Sequence, residues 1–86
     1  MSAYRLELKP AARRSLRKLP QDMQKRVARK LETLARNPRP AGAEKLKGLP
    51  DLYRLRVGDY RVLYQIQETI LLVLVVQLGH RRKIYK

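Results

Sequence analysis

Residues 52–76 leave this chain the least freedom in how it folds. Tyr53, Leu55 and Val57 alternate with Arg54 and Arg56. An extended strand there puts apolar side chains on one face and arginines on the other. Gly58-Asp59 follows as a two-residue hairpin loop. Tyr60, Val62, Tyr64 and Ile66 then alternate with Arg61, Leu63 and Gln65. Gln67-Glu68-Thr69 turns the chain again, and Ile70 to Val76 is continuously apolar. That run predicts a central strand covered on both faces, ended by Gly79.

The upstream half reads differently. Residues 4–8 alternate as a half-buried strand would. Pro10 suits a first helical position, where its missing N–H costs nothing. Ala11, Ala12, Leu16 and Leu19 follow at roughly helical spacing, and Pro20 ends this short helix. A second helix is predicted from about Gln21 to Arg36, because Met23, Val27, Leu31 and Leu34 form one apolar stripe. Lys25, Arg26, Arg29 and Lys30 populate the rest of its surface, and Asn37-Pro38-Arg39-Pro40 stops it. Residues 37–51 read as a loop carrying Lys45, Lys47 and a turn at Gly48-Leu49-Pro50-Asp51. Residues 81–85 suit a last short strand or a tail. If extended, they put Arg81, Lys83 and Tyr85 on one side.

The predicted fold is therefore α+β. An N-terminal strand and a helical hairpin pack on a twisted, mainly antiparallel sheet of about four strands. Residues 1–86 form a single domain, since no repeat, low-complexity segment or long linker divides them. With 86 residues, 44% of them hydrophobic, the chain is sufficient for one modest core.

Charge narrows the function. Lysine and arginine number 21 against 7 aspartates and glutamates, a net charge of +14. Such a chain fits a nucleic acid, an acidic membrane or an acidic protein. The apolar run is too short to span a bilayer, and the residues after Met1 lack the apolar core of a signal peptide. No cysteine is present, and the single histidine cannot build a metal site alone. The expectation is a soluble cytoplasmic protein that meets RNA or DNA, with no metal, no cofactor and no membrane partner.

The hairpin sharpens this. With Gly58 and Asp59 as the loop, Val57 faces Tyr60 and Arg56 faces Arg61. Directly opposed like charges destabilise a strand pair by up to roughly 1 kcal/mol. Arg54 lies on that same face. Either the face is simply a solvated basic surface, or it is kept for an anionic ligand. The stretch from Gly79 to Lys86 adds His80, Arg81, Arg82, Lys83 and Tyr85. A tyrosine among arginines can stack on an exposed RNA base or pack against the sheet edge.

At Tyr53-Arg54-Leu55-Arg56-Val57-Gly58-Asp59-Tyr60-Arg61-Val62-Leu63-Tyr64 the chain resembles the RelE/ParE toxin superfamily, and the RelE branch most. The likeness runs on through Leu78-Gly79-His80-Arg81-Arg82-Lys83-Ile84-Tyr85. It also takes in Lys45-Leu46-Lys47-Gly48-Leu49-Pro50-Asp51 upstream. The resemblance implies a type II toxin: an endoribonuclease, or mRNA interferase, that cuts mRNA in the ribosomal A site. It implies inhibition by an acidic, helical RelB-type antitoxin, with the pair acting on operator DNA. It also implies catalytic roles for Arg54, Arg56, Arg61, Arg81 and Tyr85. Some relatives carry lysines where Arg54 and Arg56 stand here. Guanidinium is a weaker proton donor than ammonium but a better bidentate phosphate clamp.

RNA cleavage by the substrate's own 2′-hydroxyl needs no metal. It needs a proton acceptor, charge for the dianionic phosphorane and a donor for the leaving 5′ oxygen. Arg61, Arg54 and Arg56 suit the second task, and the resemblance gives Arg81 the third. Tyr85 would stack on or orient the nucleotide or act as the base. His80, the one imidazole, is a further candidate for proton transfer, or else a solvated loop residue. Lys45, Lys47, Arg82 and Lys83 are candidates for RNA binding. Two other readings stay open: a ParE-type gyrase inhibitor on the same fold, and a non-catalytic basic RNA-binding module.

Overall fold

A computed structural model describes residues 3–80. Strand β1 (Arg5–Leu8) leads into helix α1 (Pro10–Arg17) and helix α2 (Gln21–Arg36). A two-residue strand β2 (Glu44–Lys45) precedes the long strands β3 (Leu52–Val57), β4 (Tyr60–Gln67) and β5 (Leu72–His80). They form one sheet in the order β1-β5-β4-β3-β2. Only β1 runs parallel to its neighbour, β5. The other pairs are antiparallel.

The helices start and stop for local reasons. Pro10 and Pro20 open them, fixing φ where no intrahelical N–H is needed. The α2 stripe buries Val27, Leu31 and Leu34, with Met23 packed beside them. It faces Tyr53, Leu55 and Val57 of β3, Val62, Tyr64 and Ile66 of β4, and Val73, Val75 and Leu78 of β5. These all lie on one side of the sheet, so both helices cover one face and leave the other open. Each such buried apolar side chain contributes about 1.5–3 kcal/mol relative to exposure.

Three details depart from the sequence expectation. The segment 37–51 is not all loop: Glu44 and Lys45 pair with Arg54 and Tyr53, which makes the sheet five-stranded. Two residues are too few for alternation to show. Ile70 is not in the central strand. Glu68–Ile70 forms a 3-10 turn and Leu71 takes a left-handed conformation (φ 51°), so Ile70 and Leu71 are exposed and β5 begins at Leu72. Gly79 does not end β5, which runs on to His80 because Arg61 and Tyr60 of β4 supply partners for Gly79 and His80. The last short strand or tail expected at 81–85 lies outside the described residues.

A polar clamp holds the loop after α2. The Tyr64 hydroxyl, fully buried, donates to the Pro38 carbonyl at 2.7 Å. Tyr64 stacks on Tyr53, and Arg39 lies over the Tyr53 ring while donating to its hydroxyl. Arg39 and Tyr4 both donate to Glu68, tying three chain segments together.

Burial pushes the Tyr64 phenol up from 10.0 to about 12. The neutral form is therefore favoured in the folded state, and its stabilising contribution is complete below pH 10 and lost as pH rises towards 12. Tyr64→Phe should lower the unfolding free energy by about 1–3 kcal/mol at neutral pH, because the buried Pro38 carbonyl loses its donor. Denaturant titration measures this. The variant should also lose less stability than the wild type between pH 10 and 12.

Candidate functional site

The open face of the sheet carries the cations. Gly58 takes φ 60° at the first loop position, as a type II′ hairpin turn requires. This sets Val57 opposite Tyr60 and Arg56 opposite Arg61. Paired residues share a side of the sheet, so Arg56 and Arg61 project together, away from the helices. Arg54, two residues back along β3, joins them opposite Leu63. On its other side Arg61 pairs with Gly79 of β5, which adds no side chain next to the guanidinium.

A carboxylate sits among these arginines. Glu44 pairs with Arg54 across β2 and β3, and the two side chains form an ion pair. The hydrogen bond from Arg54 holds the Glu44 carboxyl below its ordinary range, helped by the charge of Arg54 and then that of Arg61. Sequence reading missed Glu44 because it assigned residues 37–51 to a loop. Once β2 is recognised, its register puts Glu44 next to Arg54.

Other candidates fall elsewhere. His80 pairs with Tyr60, and its ring meets the Tyr60 ring edge-on with centroids 5.6 Å apart. Tyr60 shares its side with Val57 and Val62, so the sheet separates His80 from the three arginines. Lys45 pairs with Tyr53 and shares its side of the sheet, and Lys47 lies in the exposed loop beyond. Arg81, Arg82, Lys83 and Tyr85 lie outside the described residues. Among the described residues, no three His, Asp or Glu side chains come together as metal ligands.

Arg56 is exposed, and its Nε donates to the Gly58 carbonyl at 3.1 Å. That bond returns the side chain toward the turn and limits its rotamers. Among the described residues, the guanidiniums of Arg54, Arg56 and Arg61 thus share this face on two adjacent strands, with the Glu44 carboxylate paired to Arg54. The face suits a phosphodiester, which accepts paired N–H donors from such forks.

The whole chain has known relatives. Residues 6–85 match the family model described as ParE toxin of the type II toxin–antitoxin system parDE. The mRNA interferase toxin RelE of Escherichia coli K12 is 34% identical over 83 residues, covering 94% of this chain and 86% of that protein. The RelE–RelB complex of Pyrococcus horikoshii contains a chain that superposes with a TM-score of 0.84 at 29% identity. That match covers 94% of this chain and 98% of the other. The RelBE2 toxin–antitoxin complex of Mycobacterium tuberculosis gives 0.82 at 30% identity, with 94% of each chain covered. Fold and matches together define the class, the toxin component of a type II toxin–antitoxin system. Within the ParE/RelE family, the chain belongs to the RelE type.

The site's electrostatics are checkable without any substrate. In Arg54→Ala the Glu44 carboxyl should titrate closer to its ordinary value of 4.5. Carbon-detected NMR of the side-chain carboxyl reads this directly, and the Glu68 carboxyl, held low by Tyr4 and Arg39, serves as the internal control.

Proposed function

We propose that this toxin is a ribosome-dependent mRNA endoribonuclease that cuts the codon in the A site. One observation carries the reading: Arg56 and Arg61 stand directly opposed on an exposed sheet face, with Arg54 beside them. A face selected for stability alone does not gather like charges in this way. The relatives named mRNA interferase support the same chemistry.

In this reading the substrate's 2′-hydroxyl attacks the adjacent phosphate in line, so the step requires no metal. Arg61, with Arg54 and Arg56, stabilises the dianionic phosphorane. Glu44 is the counter-ion that the incoming phosphate displaces from Arg54. Arg81, two residues beyond Gly79 in the chain, protonates the departing 5′ oxygen. Tyr85 stacks on or orients the nucleotide and, as the base, takes the proton from the 2′-hydroxyl. Lys45, Lys47, Arg82 and Lys83 hold flanking RNA. None of these cations is a good proton acceptor, so the ribosome must splay the codon and align the 2′-hydroxyl. Orientation of this kind can contribute several kcal/mol of the barrier, up to about 11. The solved RelE–RelB complexes support a partner of RelB type. In this reading that partner is acidic and helical and covers the cationic face. The same complex would meet operator DNA, and the toxin would act in the cytoplasm.

The description of the matching family model favours a second reading, a ParE-type inhibitor of DNA gyrase. A gyrase supercoiling assay run beside a translation reaction separates the two. The nuclease reading expects primer extension to show cuts in ribosome-bound mRNA and little cutting of the same RNA when naked. It also expects Arg61→Ala to lower the single-turnover rate by a factor of about 100 or more, with the melting temperature held. Equal cutting of naked and bound RNA, or inhibited supercoiling with intact mRNA, would contradict it.

A further inference from the structure

A second basic site lies around the edge of β3 from the arginine face. Strand β2 covers that edge only at Tyr53 and Arg54. Beyond them α2 and the hairpin turn enclose an open cleft of about 370 Å³. Its lining includes Arg26, Arg29, Lys30 and Thr33, which fall at i, i+3, i+4 and i+7 and so share one face of the helix. Arg56 and Gly58 close the other side.

The two arginines nearest the turn converge there. A Cβ on Gly58 would lie 3.6 Å from Arg26 Nη1, so the Arg26 guanidinium rests over the turn. Arg56 bonds to the carbonyl of the same glycine. Four cations thus face one cleft, and none of the described residues that line it is acidic. Among the described residues, the ion pairs involve Arg5, Arg39 and Arg54 and leave out Arg26, Arg29 and Lys30.

We infer that this cleft is a phosphate-backbone site for RNA, separate from the face where the cut is made. The choice of RNA over an acidic peptide follows from the lining. Val57 is its one sizeable apolar residue, and it is buried in the core. A peptide partner draws its affinity from apolar anchors in pockets, and beside Val57 the apolar lining here comes mainly from the aliphatic stems of the same cations. A phosphodiester backbone asks only for positive charge and N–H donors, which guanidinium forks supply in pairs. Arg56 belongs to both sites, so one RNA, or two segments of a folded RNA, can lie against the edge of β3 while the scissile phosphate meets Arg61. The inference rests on RNA being the ligand and not on the cleavage chemistry.

The test uses the full chain and a mixed-sequence single-stranded RNA, 2′-O-methylated so that it cannot be cut. Binding is followed by fluorescence anisotropy across a salt series. A variant with Arg26, Arg29 and Lys30 all changed to Gln is compared with a control in which Arg13, Arg14 and Lys18 of the α1 segment are changed likewise. Circular dichroism melts verify that both fold. The cleft variant should bind about tenfold or more weakly at low salt. Its plot of log affinity against log salt should flatten by about 2, three contacts at roughly 0.7 each, with no dependence on RNA sequence. The control should change neither quantity by as much. Equal losses in both variants would overturn the inference, because net charge alone would then explain the binding. Unchanged RNA binding would overturn it too, and loss of affinity for an acidic peptide partner in that case would reassign the cleft to protein. If the wild type binds through the cleft but never cuts translated mRNA, the nuclease reading fails and the cleft stands.

Discussion

The pairing of β3 with β4 through the Gly58-Asp59 turn is the constraint on which the rest of the structure depends. A two-residue loop admits one register, and a slip by one residue would exchange the two faces of the sheet. In the observed register Tyr53, Leu55, Val57, Val62, Tyr64 and Ile66 all enter the core. Arg54, Arg56 and Arg61 are driven to the other side by the same alternation. Core and cationic face are therefore two results of one turn, and neither can be moved without the other. The electrostatic cost of placing Arg56 against Arg61 is small beside the burial of six core side chains.

The helices then decide which face stays open. The stripe of Val27, Leu31 and Leu34 covers the apolar side, and the clamp around Tyr64, Tyr53, Arg39 and Glu68 fastens the loop that follows α2. That loop delivers Glu44 to the edge of the sheet beside Arg54. Helix α2 has a second consequence. Its basic flank lies over the uncovered edge of β3, so positive charge continues around the strand from one side of the sheet to the other. A binding surface that wraps an edge in this way suits an extended, flexible polyanion better than a flat or globular ligand.

Much of this was legible in the residues themselves. Both helix starts follow from Pro10 and Pro20, and α2 ends at Arg36 as its Asn37-Pro38 sequel requires. The opposition of Arg56 and Arg61 is readable because alternation and a two-residue turn leave one arrangement. What escaped was set by tertiary contact. Glu44–Lys45 is a strand only because β3 offers an edge, so nothing in its own sequence marks it. Gly79 reads as a strand breaker, yet β4 is long enough to pair with it and with His80. That pairing moves His80 to the side of Tyr60, which chemistry alone could not foresee. The switch from Ile70 to Leu72 as the start of β5 turns on a left-handed residue at Leu71, a conformation leucine rarely advertises.

The central claim is that guanidiniums from adjacent strands act on one anionic group. The most direct measurement is a titration of arginine Nε–H resonances with an uncleavable RNA dinucleotide, followed by NMR. The signals of Arg54 and Arg61 should shift together along a single isotherm. The Arg39 signal, held by Tyr53 and Glu68, should stay in place. Shifts at separate ligand concentrations, or none at Arg61, would contradict it.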